Sequence, residues 1–146
     1  MRLNLDCVRD ILICVEENAD YRRGIEFYDS YSPNVDIPEL NGGIPKYNLP
    51  LFEKYGDKTT LYHVRYCLKG NLLEFDDRSI EPYIGISDLT PNGHAMLNDI
   101  RDQKVFERAK SVALSIGLAS LPSIQQIISR LANDLIHSHF VSGRTT

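Results

Sequence analysis

The sequence predicts an α+β fold that is mostly α, and three observations point there. Apolar residues recur at helical spacing over several stretches. Two short strand-like runs, Leu72 to Phe75 and Tyr83 to Ile86, flank an acidic turn. Between Asp57 and Thr90 the order is helix, Gly70-Asn71 turn, strand, turn, strand and the start of another helix. That is the order of a winged helix-turn-helix, expected here with a long inserted loop at about 19–47 and additional C-terminal helices over about 91–139.

The 146 residues are enough for one domain with a real core, set at 1–140 with a flexible tail at 141–146. Apolar residues are 42% and charged residues 25%, ordinary values for a globular chain. No apolar run approaches the roughly 20 residues that cross a bilayer, and Asp6 interrupts any signal-peptide pattern, so a cytoplasmic protein is expected. Cys7, Cys14 and Cys67 lack metal spacing and lie in apolar helical settings, which reads as reduced core thiols.

Residues 5 to 17 form the first helix, capped by Asn4, with Val8, Ile11, Leu12 and Val15 as its inward stripe. From Asn18 to Asn48 the pattern weakens. Residues 24 to 29 allow a short strand, and Ser30, Ser32, Pro33, Pro38, Asn41, Gly42, Gly43 and Pro45 then punctuate a loop. Its aromatics, Tyr21, Phe27, Tyr28, Tyr31 and Tyr47, read first as pins to the body and second as contact material for a partner. Asn48 is expected to cap a helix to Tyr55, with Pro50 in its first turn and Gly56 as the following turn.

In the helix at about 57–70, the recognition helix of this reading, Thr60, Leu61, Val64, Cys67 and Leu68 fall on one side. Lys58, Thr59, Tyr62, Arg65, Tyr66 and Lys69 fall on the other. Cations suit phosphates and guanine edges, while hydroxyls and rings suit bases and sugars, so these residues are the candidate DNA contacts. The bland alternative is a solvated amphipathic face. Asp57 is expected to take the first free amides of the helix, and Gly70 to end it in a left-handed conformation.

Charge divides unevenly. Residues 57–72 carry +2 and residues 73–90 carry −4, in a chain whose net charge is −4. The acidic turn holds Glu74, Asp76, Asp77 and Glu81 against Arg78 alone. A wing resting on phosphates should be basic, so this one speaks against ordinary wing contacts.

Thr90 and Pro91 mark a helix start, and a phase slip near Asp102 predicts a bend or break before about Gly117. Arg101, Lys104 and Arg108 make a small basic stripe, read as a solvated face. Ser120 is expected to cap a last helix with Ile124, Ile127, Ile128, Leu131 and Leu135 in register. That helix either covers the core or forms a homodimer. His137 and His139 are two apart and do not converge as metal ligands. The chain has no Gly-rich phosphate loop, H-E-x-x-H, G-x-S-x-G or zinc-type Cys pair. His63 and His94 could in principle work with an Asp or Glu, but four unclustered histidines are what chance gives a chain of this size, so neither enzyme activity nor a cofactor is expected.

Three blocks carry a family resemblance: Leu3-Asn4-x-Asp6-x-x-Arg9-Asp10-Ile11-Leu12; Tyr62-His63-Val64 with Leu68 and Leu72-Leu73; and Leu89-Thr90-Pro91-x-Gly93-His94-x-x-Leu97-x-x-Ile100-Arg101-Asp102. The chain resembles the YjcQ-like, prophage-associated family known as domain of unknown function 2513, whose winged-helix architecture the resemblance implies for this chain. It supplies no catalytic residues. Tyr28 to Asn48 is longer and richer in Pro and Gly than that pattern, Lys69-Gly70-Asn71 replaces an acidic-Ala-Gly turn, and Phe106 stands in place of Trp.

Two functions follow as expectations. The first is a phage or prophage transcriptional regulator that binds double-stranded DNA through the six candidate contacts, as a possible homodimer. The second is a phage-encoded protein that binds a host protein, for instance as an anti-defence inhibitor, through Tyr28, Tyr31, Tyr47, Glu74, Asp76, Asp77 and Glu81. There the acidic surface would occupy a site meant for nucleic acid.

Overall fold

The structure is a computed structural model that describes residues 1–38, 42–116 and 121–144. It is mostly helical, with one small antiparallel sheet. Helix α1 (Leu5–Asn18) begins where the Asn4 side chain accepts the Cys7 N–H, as its capping signal implied. Its residues Cys7, Val8, Ile11, Leu12 and Val15 are fully buried, so α1 runs through the middle of the core.

Strand β1 (Ile25–Tyr28) follows, then α2 (Leu49–Tyr55) and α3 (Asp57–Lys69). Strands β2 (Leu73–Phe75) and β3 (Tyr83–Leu89) form a hairpin, and the sheet order is β1-β3-β2 with both pairings antiparallel. β3 therefore extends past the expected end at Ile86, because its further residues pair with β2, Leu89 opposite Leu73. Helices α4 (Pro91–Ile100), α5 (Gln103–Ile116) and α6 (Leu121–Arg144) complete the chain.

One apolar cluster unites these elements: Phe27 and Ile86 from the sheet, Val64 and Cys67 from α3, Leu97 and Ile100 from α4, Phe106 from α5, and Ile124 and Ile128 from α6. The three cysteines lie within it, and burial pushes the Cys7 thiol up to about 12 and the Cys14 thiol up to about 11. They are packing residues. The break expected near Asp102 is present, and Asp102 Oδ1 accepts the N–H groups of Lys104 (2.9 Å) and Val105 (3.1 Å) to start α5.

Two boundary readings need correction. Gly70 ends α3 with φ −81°, and the left-handed residue is its neighbour Asn71 at φ 58°. Gly70 instead gives close packing: a Cβ there would lie 2.6 Å from Leu121 Cδ2 at the start of α6, a contact that the Leu121 side chain would have to shift to relieve. Asn48 makes no capping bond to α2. Its buried amide instead accepts the Tyr28 N–H (2.9 Å) and donates to the Glu26 carbonyl (3.0 Å). Together with the Tyr47 hydroxyl, which accepts the Glu26 N–H at 2.7 Å, it closes the outer edge of β1 that would otherwise be open to pairing.

Gly117 and Ser120, the expected end of one helix and cap of the next, lie outside the described residues. Helix α6 runs to Arg144, past the end expected near residue 139 and into the segment expected to be a tail. Among the described residues no helix is long and apolar enough to cross a membrane.

Candidate functional site

The α2–α3 turn is made by Gly56 at φ 83°, after which Thr60 ties the two helices together. Its hydroxyl lies 2.8 Å from the Gly56 carbonyl and 3.2 Å from the Leu51 carbonyl. The buried face of α3 is Thr60, Leu61, His63, Val64 and Cys67, which leaves Lys58, Tyr62, Arg65 and Lys69 exposed. Those four are spaced four, three and four apart, so they form one stripe about 16 Å long on a helix rising 1.5 Å per residue. Thr59 and Tyr66 flank it half-buried, and the Tyr62 and Tyr66 rings stack with centroids 5.8 Å apart. All six candidate contacts thus share one side of α3.

His63 was not expected in the core, yet it is fully buried there. Its Nδ1–H donates to the Thr59 carbonyl (2.7 Å), and its Nε2 accepts the Asn4 N–H at the start of α1 (2.8 Å). That pair of bonds selects the neutral tautomer, and burial holds its pKa below the ordinary histidine value. His63 is therefore a joint between α1 and α3. Among the described residues no cluster of three or more His, Cys, Asp or Glu residues is placed to hold a metal ion.

The loop that follows β1 is drawn onto α3. Asp29 Oδ2 pairs with Arg65 Nη2 at 3.2 Å. The Tyr31 hydroxyl donates to Asp57 (3.1 Å), Ser30 reaches the same carboxylate (3.3 Å), and Lys58 Nζ sits 5.2 Å from the Tyr31 ring centre. Asp57 also accepts the Lys58 N–H at 2.7 Å, but it is already the first residue of α3 and takes only this adjacent amide, while Gly56 holds the cap position without a side-chain bond. On its other flank the loop meets the β2–β3 hairpin. Asp29 N–H donates to the Pro82 carbonyl (2.7 Å), and Ser32 and Asn34 both donate to Glu81 (3.0 and 3.2 Å). Residues 29–34 thus bridge α3 and the hairpin.

The aromatics expected of the 19–47 loop divide accordingly, since the structure places Phe27 and Tyr28 in β1. Phe27 is fully buried, Tyr28 packs against Tyr83 at 5.7 Å, and Tyr47 serves the edge of β1, so these three are committed to the body. Tyr31 and Tyr21 are exposed. Among the acids of the hairpin, Asp76 pairs with Arg78 (3.0 Å), which holds its carboxyl below the usual range, and Glu81 is tied to the loop. Glu74 and Asp77 face solvent.

Sequence reasoning missed Phe75 and Ile80. Alternation from buried Leu73 would turn Phe75 inward, but the register shifts between Glu74 and Phe75 and the ring is 57% exposed. Ile80, in the turn that follows, is 62% exposed. An apolar pair on an acidic hairpin is unlike a surface made for phosphate.

The family model described as Hypothetical protein (DUF2513) matches residues 2–119. The chain belongs to the DUF2513 family. In this DUF2513 chain the matched span contains α1 to α5, including the α3 stripe, the loop and the hairpin, while α6 lies beyond it. No curated protein and no solved structure matches the chain significantly.

Proposed function

We propose that this DUF2513 protein is a DNA-binding transcriptional regulator whose fold is a winged helix-turn-helix with α3 as recognition helix. The order α1-β1-α2-α3-β2-β3 with sheet order β1-β3-β2 supports the architecture, with the β2–β3 turn as its wing. The observation that carries the function is the exposed Lys58-Tyr62-Arg65-Lys69 stripe. Three cations on one face are spaced to follow a phosphate backbone, and the stacked Tyr62 and Tyr66 offer rings to bases or sugars.

In this reading the protein acts in the cytoplasm of a phage or prophage host, without a cofactor. Homodimerisation would run through the outer part of α6, where Leu135 and Ile136 are exposed. The test is fluorescence anisotropy with mixed-sequence double-stranded DNA. The triple variant Lys58→Ala, Arg65→Ala, Lys69→Ala should lose binding that the parent shows at low salt, and equal binding by both proteins would sink the proposal.

A second reading, attachment to a host protein, is favoured by one observation. Phe75 and Ile80 stand exposed on a hairpin whose Glu74 and Asp77 face solvent, and Glu74 lies opposite Asp88 across the sheet. A basic-rimmed apolar cleft fits that chemistry. Replacing Phe75 and Ile80 with Ser should then abolish host-protein capture and leave DNA affinity unchanged. Loss of DNA binding instead would assign the hairpin to the duplex.

A further inference from the structure

From the bridge between α3 and the hairpin we infer that residues 29–34 are an autoinhibitory strap, which masks the α3 stripe until nucleic acid displaces it. The inference rests on the DNA-binding reading of α3 and adds its regulation. Two of the three cations of the stripe are engaged by the strap: Asp29 takes the Arg65 guanidinium as a phosphate would, and the Tyr31 ring stands over Lys58. Only Lys69 has no partner among the described residues.

The strap is held at both ends rather than draped. Tyr31 and Ser30 anchor it to Asp57 at the start of α3, while Ser32 and Asn34 anchor it to Glu81 on the hairpin. It therefore occupies the side of α3 that faces the hairpin, where a duplex lying on the stripe would have to pass. The anchors on the α3 side are weak by nature. Arg65 is 55% exposed in its side chain and meets Asp29 through a single 3.2 Å contact, the type of pair worth at most about 1 kcal/mol. Phosphates exchange readily for such a carboxylate, because each contact also releases a counterion. A mask of this kind lowers non-specific affinity without blocking a site that offers enough contacts.

The test is the variant Asp29→Asn, Tyr31→Ala, with mixed-sequence duplex as the probe. Asn keeps the Oδ1 that accepts the Tyr31 N–H (2.9 Å) and Tyr31 is exposed, so the fold should survive, which thermal unfolding will verify. Binding should tighten by about fivefold, the equivalent of one exposed ion pair, and depend more steeply on salt by about 0.9 in log–log slope. The part of the gain that comes from Arg65 should vanish when Arg65→Ala is added, leaving only the smaller share from the freed Lys58. Unchanged or weaker binding in the variant overturns the strap and leaves α3 as the DNA site, with Asp29 then positioning Arg65. If the parent and the variant both ignore DNA, the α3 reading itself has failed and the strap falls with it.

Discussion

Replacing Gly93 with Ala pits two effects against each other, and the packing of α4 decides the sign. Helix propensity alone favours Ala over Gly inside a helix by about 1 kcal/mol. A Cβ on Gly93, however, would overlap the backbone carbonyl of Leu72, which no side-chain rotation can relieve. Helix α4 would have to retreat by roughly an ångström to reach ordinary contact. That movement pulls on the Thr90 hinge, where Thr90 N–H donates to the Leu72 carbonyl (3.0 Å) and the Thr90 hydroxyl donates to the Asn71 carbonyl (2.6 Å). Two strained hydrogen bonds at about 1 kcal/mol each and an overpacking cost of about 2 kcal/mol outweigh the propensity gain. The net expectation is a loss of about 3 kcal/mol, or about 6–12 °C in Tm for a chain of this size. Urea denaturation should show the midpoint falling with an unchanged slope. A midpoint that stays or rises would mean that α4 does not abut the α3–β2 turn as described.

Three further outcomes follow from the same geometry. Thr90→Val keeps the shape but removes both the cap on the Gly93 N–H (3.0 Å) and the bond to Asn71, and should cost about 2 kcal/mol in urea denaturation. His63 is held neutral when folded, whereas the unfolded chain takes up a proton near pH 6.5. Its contribution is fully present above that pH and is lost as pH falls below it, so unfolding midpoints should drop from pH 7.5 towards 5. A His63→Gln variant should be less stable at pH 7.5 and flatter below it, and an equally steep fall in the variant would assign the pH dependence elsewhere. The buried thiols, with Cys7 pushed up to about 12, should resist a thiol reagent at pH 8 until denaturant is added, and rapid labelling of the native protein would contradict their place in the core.

The parts of this fold legible in the sequence are those fixed by neighbours in the chain. Thr90 with Pro91, Gly56 before α3, and the phase slip at Asp102 each set a boundary through bonds spanning a few residues, so pattern and capping rules found them. Asn48 has a capping residue's chemistry but spends it on β1, a partner some 20 residues away, and no local rule distinguishes the two uses. The outward turn of Phe75 depends on a register shift against β3, and the strap depends on pairs such as Asp29 with Arg65, 36 residues apart. His63 looked like an isolated histidine because its second partner is the backbone of Asn4, 59 residues earlier. The six α3 candidates were found together because a helical face repeats within the helix itself. The contacts of residues 29–31 with that face were hidden for the same reason that Asn48 was misread.

The central claim is that the α3 stripe meets phosphate, and the salt dependence of duplex binding tests it most directly. In a plot of log affinity against log salt for mixed-sequence DNA, Lys69→Ala and Lys58→Ala should each flatten the slope by about 0.9, the signature of one lost phosphate contact. Lys104→Ala, which removes an exposed cation from α5, should leave the slope unchanged. Equal slopes for all of these proteins, or no binding by the parent even at low salt, would contradict the claim.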